Sequence, residues 1–268
     1  MMAISKSKNT DAITLLLEVM SQLRDPNYGC SWDCAQTHQS IAAYSIEEAY
    51  ELYDALLAGE DRAIRDELGD LLLQVVFHAQ IAQERKAFDF DDVANAIAQK
   101  MIRRHPHIFS QNAKNPDATS WEDIKQKERI EKNLNSILDD IPLSLPALTR
   151  SLKLQKRAAR VGFDWDDVQQ VLDKLHEETQ ELVEARTHKS HADIYEEFGD
   201  MMFVMVNISR HLDIDPEDAL RAANRKFTRR FRYIETKFNN DQEALKQAPI
   251  QELEKLWIEA KNLEKTPK

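Results

Sequence analysis

Apolar residues stand three or four positions apart along much of the chain, which is the spacing of a helix with one buried face. Around Asp70, for example, Leu68, Leu71, Leu72 and Val75 follow this spacing. No stretch shows the sustained alternation and turn signals of a strand. The pattern predicts an all-α protein with helices over about residues 61–85, 91–105, 147–160, 167–187, 190–212 and 216–238, and a last helix from about residue 250.

Capping signals place several helix ends. Ser45 with Glu48 matches a capping box and predicts a helix start, and Gly59 predicts the end of that helix. Two further starts are indicated by the pairs Asp215-Pro216 and Thr119-Glu122.

The chain carries one acidic pattern twice, at an offset of 130 residues without a gap. The matched pairs include Glu47 with Glu177, Glu48 with Glu178, Glu51 with Glu181, Glu67 with Glu197, Gly69 with Gly199, and Asp70 with Asp200. At slightly different offsets the likeness continues through Trp32 with Trp165, "KMIRR" with "KFTRR", and Trp121, Lys125 and Glu128 with Trp257, Lys261 and Glu264. Similarity at a nearly fixed offset indicates a duplicated domain.

The stretch "DDIPLSLPAL" holds two prolines and is typical of a hinge between the copies. We therefore predict two tandem helical-bundle domains. The N-terminal domain would cover residues 1–138, a proline-containing linker 139–148, and the C-terminal domain 149–268.

The charge and apolar content exclude several partners. A net charge of −11 argues against broad nucleic-acid binding, although a local basic pocket for one anionic ligand remains compatible with it. The N-terminus lacks the unbroken apolar core of a signal peptide, and the apolar run at 71–77 is too short to span a bilayer. We expect a cytoplasmic protein without a membrane or nucleic-acid partner.

Two cysteines and a histidine, Cys30, Cys34 and His38, stand four positions apart and would share one helix face. A zinc site would need a fourth ligand and different spacing. The cysteines of a cytosolic protein are expected to be reduced. Because the fourth ligand and the usual spacing are missing, local packing is the favoured interpretation.

Each copy places four carboxylates on two neighbouring predicted helices. In the second copy Glu178 and Glu181 share one face, as do Glu197 and Asp200, so antiparallel packing would make the four converge. Four unpaired anions repel strongly, and an oxygen-only ligand set favours Mg²⁺ or Mn²⁺ over zinc. The alternatives are a solvated acidic face and a di-iron centre. Iron is disfavoured because none of the eight His follows a Glu by three positions.

A glycine stands inside the predicted helix beside the last acid of both copies, at Gly69 and Gly199. Glycine costs about 1 kcal/mol relative to alanine in a helix interior. Its presence indicates close approach by backbone or ligand, with tight helix packing as an equal alternative.

Basic residues of the second copy suit a polyphosphate ligand. Lys226 and Arg230 lie four apart on one helix, and Lys174 lies one turn before Glu178. Trp257 has the shape to stack on a base. The competing interpretations are an exposed basic face for Lys226 and Arg230, and a core anchor for Trp257.

The motifs "EEAYE…DELGD" and "EETQE…EEFGD" resemble the signature of the all-α nucleoside triphosphate pyrophosphohydrolases. The flanking "GCSWD", "RRHPHIF", "VGFDW" and "KFTRRF" resemble the two-domain MazG proteins in particular. The resemblance implies Mg²⁺-dependent hydrolysis of nucleoside triphosphates to monophosphate and pyrophosphate. It further implies a broad base specificity and a homodimeric assembly. It also implies a role in removing aberrant nucleotides and controlling alarmone pools.

The same resemblance assigns roles to residues of the second copy. It makes Glu178, Glu181, Glu197 and Asp200 the metal ligands. It places Lys226 and Arg230 on the phosphates and Lys174 and Trp257 beside the nucleotide. Glu177 or Glu178 would help to orient the attacking water.

The first copy keeps the acidic quartet, as Glu48, Glu51, Glu67 and Asp70. It replaces three polar residues of the second copy, with Tyr44 at the position of Lys174, Phe77 at Asn207 and Ala98 at Asn224. We therefore expect most activity in the second copy, while the first would bind metal weakly, help to dimerise or act on other nucleotides. A non-catalytic nucleotide-binding or regulatory scaffold is the alternative function.

Overall fold

The computed structural model describes residues 11–109 and 134–264. Within these two ranges the chain forms helices joined by short connections, and none of their residues lies in a strand. The prediction of an all-α protein is confirmed. The chain divides into two compact units, residues 1–126 (the first unit) and 127–268 (the second unit).

The first unit is built around a helical hairpin, α3 (Ala42–Ala58) and α4 (Asp61–Glu84). α1 (Ala12–Leu23) packs against α4, and α5 (Phe90–Arg104) follows α4 along the chain and contacts it. Two short helices complete the described part of this unit, α2 (Ser31–Ala35) and α6 (Pro106–Phe109).

Apolar side chains from α1 and α4 form the core of the first unit, together with Ile41 just before α3. Its most buried members are Met20, Ile41 and Val76, each no more than 1% exposed, with Phe77 and Ile81 at their side. These residues fix α4 against α1. α4 also packs along α3, and each of these two helices carries part of the acidic motif.

The second unit repeats the hairpin as α8 (Val168–His188) and α9 (His191–His211), which pack along each other more extensively than any other helix pair in the described part of the chain. α7 (Ala147–Ala159) and α10 (Pro216–Lys237) flank the hairpin. The last helices are α11 (Gln242–Gln247) and α12 (Ile250–Leu263), and α12 packs along α10.

An arginine at the end of α9 ties the hairpin to the loop before α8. Arg210 forms an ion pair with Asp164 and donates hydrogen bonds to the side-chain oxygen of Asn207, at 2.8 and 3.2 Å. His211 also contacts Asp164, at 3.2 Å. The first unit has a comparable clamp, in which the guanidinium of Arg24, the residue after α1, pairs with Glu84 on α4.

Most helix bounds agree with the sequence prediction to within one or two residues. Gly59 ends α3 in the left-handed region, with φ of 74°, as its C-cap role requires. Asp215 caps α10 by accepting hydrogen bonds from the backbone N–H groups of Glu217 and Asp218, with Pro216 in the first turn.

The prediction of a capping box at Ser45 is wrong. α3 begins at Ala42, so Ser45 lies inside the helix and its hydroxyl faces the Nε2 of His78, at 3.3 Å. Tertiary contact with α4 replaces the local cap.

Four helices were not predicted: α1, α2, α6 and α11. The N-cap of α1, Asp11, makes no side-chain capping bond, and the other three have six residues or fewer. The expected helix start at Thr119 and Glu122 and the Trp121 repeat match lie outside the described residues. The predicted domain bounds and linker at 139–148 stay predictions.

No helix within residues 11–109 and 134–264 is long and apolar enough to cross a membrane.

Candidate active site

Three carboxylates of the second unit converge between α8 and α9, as the duplicated acidic motif predicts. Glu178 on α8 and Glu197 and Asp200 on α9 each offer an oxygen within 4.8 Å of the other two. We call these three residues the second-unit cluster. Glu178 is only 5% exposed, and a carboxylate is rarely buried this far unless it is paired.

Two lysines neutralise the second-unit cluster. The Nζ of Lys174, one turn before Glu178 on α8, lies 2.8 Å from carboxylate oxygens of both Glu177 and Glu178. The Nζ of Lys189, just beyond the end of α8, lies 3.1 Å from Glu197 Oε1. Hydrogen bonds to Glu177 and Glu178 raise the pKa of Lys174, and the hydrogen bond to Glu197 raises the pKa of Lys189. Both lysines therefore stay charged at neutral pH.

Glu181, the fourth predicted ligand, is not one of the three converging carboxylates. Its charge still acts on this site, because it contributes to the raised pKa of Lys189. Glu177 points its side chain towards Lys174 and is 57% exposed. The roles predicted for Glu181 and Glu177 stay predictions.

The first unit repeats the arrangement with Glu48 on α3 and Glu67 and Asp70 on α4, whose oxygens also lie within 4.8 Å of one another. We call these residues the first-unit cluster. At an offset of 130 residues, Tyr44 stands in place of Lys174 and Gly59 in place of Lys189. The two cations of the second unit therefore have no counterpart at these positions.

The first-unit cluster shows the electrostatic cost of this difference. Burial raises the pKa of Glu48, and the charge of Asp70 raises it further. Burial and the neighbouring charge of Glu51 raise the pKa of Glu67. One oxygen of Glu67, Oε2, is buried without a hydrogen-bond partner.

Both clusters fit a hard divalent cation. Each offers carboxylate oxygens from two helices and neither includes a histidine or cysteine, which suits Mg²⁺ or Mn²⁺ better than zinc. The partnerless Glu67 Oε2 and the raised pKa values in the first unit mark negative charge that a cation would neutralise.

The predicted phosphate and base contacts lie on α10 and α12. Arg230 donates two hydrogen bonds to Glu264 Oε2, at 2.8 and 2.9 Å, and its guanidinium lies 5.4 Å from the ring centre of Trp257. Trp257 also contacts the ring of Phe227, at 5.3 Å. Lys226 is exposed on the same helix. These contacts do not link Arg230 or Trp257 to the second-unit cluster, so the predicted nucleotide contacts stay predictions.

The two mid-helix glycines do not mark tight packing within their own unit. A methyl group built at Gly69 or at Gly199 would meet nothing within 4 Å. Of the two explanations of these glycines, packing against another part of the described chain is therefore wrong. Approach by a ligand or by another molecule is still compatible with the open space.

The described cysteines and histidines form no zinc site. α2 ends at Ala35, so Cys34 and His38 do not share a helix, and the Cys34 thiol faces the backbone oxygens of Leu23 and Asp25. His38 stacks on His78, with their Nδ1 atoms 2.9 Å apart. The favoured interpretation, local packing, is confirmed for Cys34.

Sequence reasoning missed Lys189 as a partner of the acidic cluster. A signal was present, because the gapless offset of 130 places Lys189 opposite Gly59 and so marks a cation gained at this position in one copy.

The fold and the paired clusters define a duplicated all-α protein with a carboxylate site in each hairpin. A family model described as the MazG nucleotide pyrophosphohydrolase domain matches residues 36–109 and again residues 166–234. The two matches cover the two hairpins, and the chain belongs to this family.

Curated relatives agree with this assignment. The chain is 45% identical over 251 residues to the nucleoside triphosphate pyrophosphohydrolase/pyrophosphatase MazG of Thermotoga maritima, covering 94% of this chain and 96% of that protein. It is 46% identical over 257 residues to the nucleoside triphosphate pyrophosphohydrolase of Escherichia coli K12, covering 94% of this chain and 98% of that protein. It is also 43% identical over 251 residues to protein YabN of Bacillus subtilis, covering 92% of this chain and 51% of that protein.

Proposed function

We propose that the protein hydrolyses nucleoside triphosphates to nucleoside monophosphate and pyrophosphate, with Mg²⁺ or Mn²⁺ held by the second-unit cluster. The observation that carries this proposal is the convergence of Glu178, Glu197 and Asp200 between α8 and α9. Full-length relatives that bear the name of this activity support it. The chain is accordingly an enzyme of the pyrophosphohydrolase class.

Within the second unit, Glu178, Glu197 and Asp200 would hold the cation, with Glu181 as a further ligand. A bound divalent cation supplies charge neutralisation of the phosphates and a more acidic bound water. Glu178 reaches the cluster from α8 and is almost fully buried, so its carboxylate could act as a proton acceptor at the inner side of the cluster. Either Glu177 or Glu178 would orient the water that attacks the phosphorus between the nucleoside and the departing pyrophosphate.

Cations of the same unit would bind the rest of the triphosphate. Lys174 already lies at the cluster, where its ammonium can turn from Glu177 towards a phosphate oxygen. Lys226 and Arg230 would hold the β- and γ-phosphates, and Trp257 would stack on the base. Stacking on an aromatic ring tolerates any base, which supports broad base specificity.

The second unit would carry most of the turnover. The first-unit cluster has Tyr44 and Gly59 where the second unit has its two lysines, so it lacks these two cations beside the carboxylates. Its carboxylates nonetheless fit a divalent cation.

A homodimer is the assembly we expect. Apolar side chains beside both clusters are about half exposed, including Leu68 on α4 and Phe198 and Met205 on α9. Single exposed apolar residues are common, but runs of them along one helix mark an interaction surface. The removal of aberrant nucleotides in the cytoplasm is the physiological role that fits this activity.

Pyrophosphate release tests the proposal. The full-length protein is incubated with a panel of nucleoside triphosphates and Mg²⁺, and monophosphate and pyrophosphate are quantified. Orthophosphate as the product would instead indicate a phosphatase. Nucleotide binding without any product would favour the alternative, a regulatory scaffold.

A further inference from the structure

Lys189 joins the acidic cluster from outside the two helices that carry it. It is the first residue after α8 and immediately precedes Ser190, which caps α9. Its side chain returns to the cluster and places its Nζ 3.1 Å from Glu197 Oε1. The lysine side chain is 43% exposed, while that of Glu197 is only 16% exposed. The ammonium therefore sits at the solvent side of a half-buried carboxylate.

The first unit shows the same site without this cation. Gly59 occupies the equivalent connection and is left-handed, with φ of 74°, whereas Lys189 has an extended backbone, with φ of −119°. Glu67, the counterpart of Glu197, keeps one buried oxygen without a hydrogen-bond partner. The two units thus have the same carboxylate arrangement. The second unit has a lysine at its solvent side, and the first has a glycine at the matching position.

A carboxylate oxygen that binds an ammonium at 3.1 Å is a poorer ligand for a metal cation, because the ammonium and the metal compete for the same negative oxygen. The long, flexible lysine side chain can swing away once the carboxylate is neutralised. A triphosphate arriving with the metal offers the released ammonium a new anionic partner.

We propose that Lys189 is a positioning residue that pairs with Glu197 as an exchangeable counter-ion. A divalent cation must displace the ammonium of Lys189 from Glu197, and the triphosphate then binds this ammonium. This inference rests on the proposed metal site of the second unit. In the absence of nucleotide the first-unit cluster therefore binds free metal more tightly than the second, although the sequence favours the second as the working site. Metal and triphosphate bind the second unit cooperatively.

Mn²⁺ titration of the protein, followed by electron paramagnetic resonance without nucleotide, tests whether Lys189 competes with the cation. A Glu67→Gln background removes the first-unit cluster so that only the second is observed. In that background, Lys189→Met lowers the dissociation constant for Mn²⁺ about 5-fold, the upper range for a partly exposed ion pair. Lys189→Arg, which keeps the charge, binds Mn²⁺ as the parent does. Equal or weaker Mn²⁺ binding by Lys189→Met would overturn the proposal.

A second measurement needs no substitution. Lysine acetylation of the wild-type protein, read by mass spectrometry, reports whether Lys189 is held by a carboxylate. Mn²⁺ alone increases acetylation of Lys189, and adding a non-hydrolysable triphosphate suppresses it again. Acetylation that does not respond to Mn²⁺ contradicts the exchange. Because neither readout uses turnover, a protein that binds Mn²⁺ as described but releases no pyrophosphate would refute only the proposed function.

Discussion

The two units set the same three carboxylates between the same two helices, but they balance the charge differently. In the second unit, Lys174 and Lys189 lie against Glu178 and Glu197. In the first, burial and neighbouring carboxylates raise the pKa values of Glu48 and Glu67, and Tyr44 and Gly59 stand at the positions of the two lysines. From this difference we predict that the acidic motif alone does not make a working site. We expect the cations around it to determine what the carboxylates can do.

The interiors of the two hairpins differ as well. In the first unit, His78 and Ser45 meet inside the hairpin, while the second unit has Ile208 and Leu175 at the same positions. Conversely, Phe77 is a core residue where the second unit has Asn207 bound to Arg210. The two copies therefore carry their polar side chains at adjacent positions of the second helix of the hairpin.

The sharpest test of the comparison replaces the matched glutamates. Glu197→Gln removes a charge from the second-unit cluster, and pyrophosphate release should fall about 10³-fold, the scale of losing one essential electrostatic group. Glu67→Gln, the matched control, should leave at least half of the activity. Steady-state rates with saturating Mg²⁺ give both values. Similar losses in the two variants would end the division of labour between the units.

The core positions should separate the units in stability. Phe77→Ala removes a ring that is 5% exposed and packs against Trp32 and Arg24, and it should destabilise the first unit by about 3 kcal/mol. Hydrogen exchange resolved by segment should place the loss in the first unit. Asn207→Ala at the matching position removes one hydrogen-bond acceptor of Arg210. It should lower the free energy of unfolding of the second unit by only about 1 kcal/mol. A loss of protection spread evenly over both units would mean that they do not unfold separately.

A phosphate-contact test addresses the second unit alone. Arg230→Gln should raise KM for the triphosphate about 10-fold while changing kcat less, because it removes one charge-assisted contact to the ligand. Its matched control is Arg104→Gln, at the position aligned with Arg230 through the "KMIRR" and "KFTRR" motifs. A fall in kcat with unchanged KM for Arg230→Gln would place this residue in the chemical step instead.

The smallest expected effect is the pH dependence of the first unit. Burial and the charge of His38 lower the pKa of His78 below its ordinary value of 6.5. The unfolded chain then takes up a proton more readily than the folded one as pH falls through about 6.5, so acid destabilises the first unit. Because solvent screens much of the interaction at His78, the change in the free energy of unfolding should stay below about 1 kcal/mol.

Segment-resolved hydrogen exchange between pH 8 and pH 5, two values chosen on either side of about 6.5, measures this loss. His78→Ile, which copies the second unit, should remove the dependence. The second unit should show no matching change in the segment around Ile208. Acid sensitivity that persists in His78→Ile would assign it to other groups.

Periodic and duplicated patterns predicted most of the fold. Helices α4, α5 and α7–α10 and α12 follow from apolar spacing and from caps such as Gly59 and Asp215. The start of α3 was wrong because Ser45 hydrogen-bonds across the hairpin to His78 instead of capping its own helix. Such a contact depends on the other helix, and no local pattern can reveal it.

The candidate site was likewise predicted where it depends on spacing along one helix and missed where it depends on how helices meet. Three of four predicted ligands converge in each unit because spacing along a helix fixes their shared face. Lys189 was missed because it acts from a connection, where the direction of a side chain depends on how two helices meet. The distance from Arg230 and Trp257 to the carboxylates depends on the placement of α10 and α12, which spacing does not fix.

Gly69 and Gly199 place a weak helix former in the middle of a long helix, beside the last acid of each cluster, where a methyl group would touch nothing. Alanine at these positions would strengthen either helix by about 1 kcal/mol without any clash inside the chain. Both copies thus keep one exposed helix position without a side chain next to their acids. A visiting molecule can lie directly on the main chain there, closer to the carboxylates than any other residue type would permit.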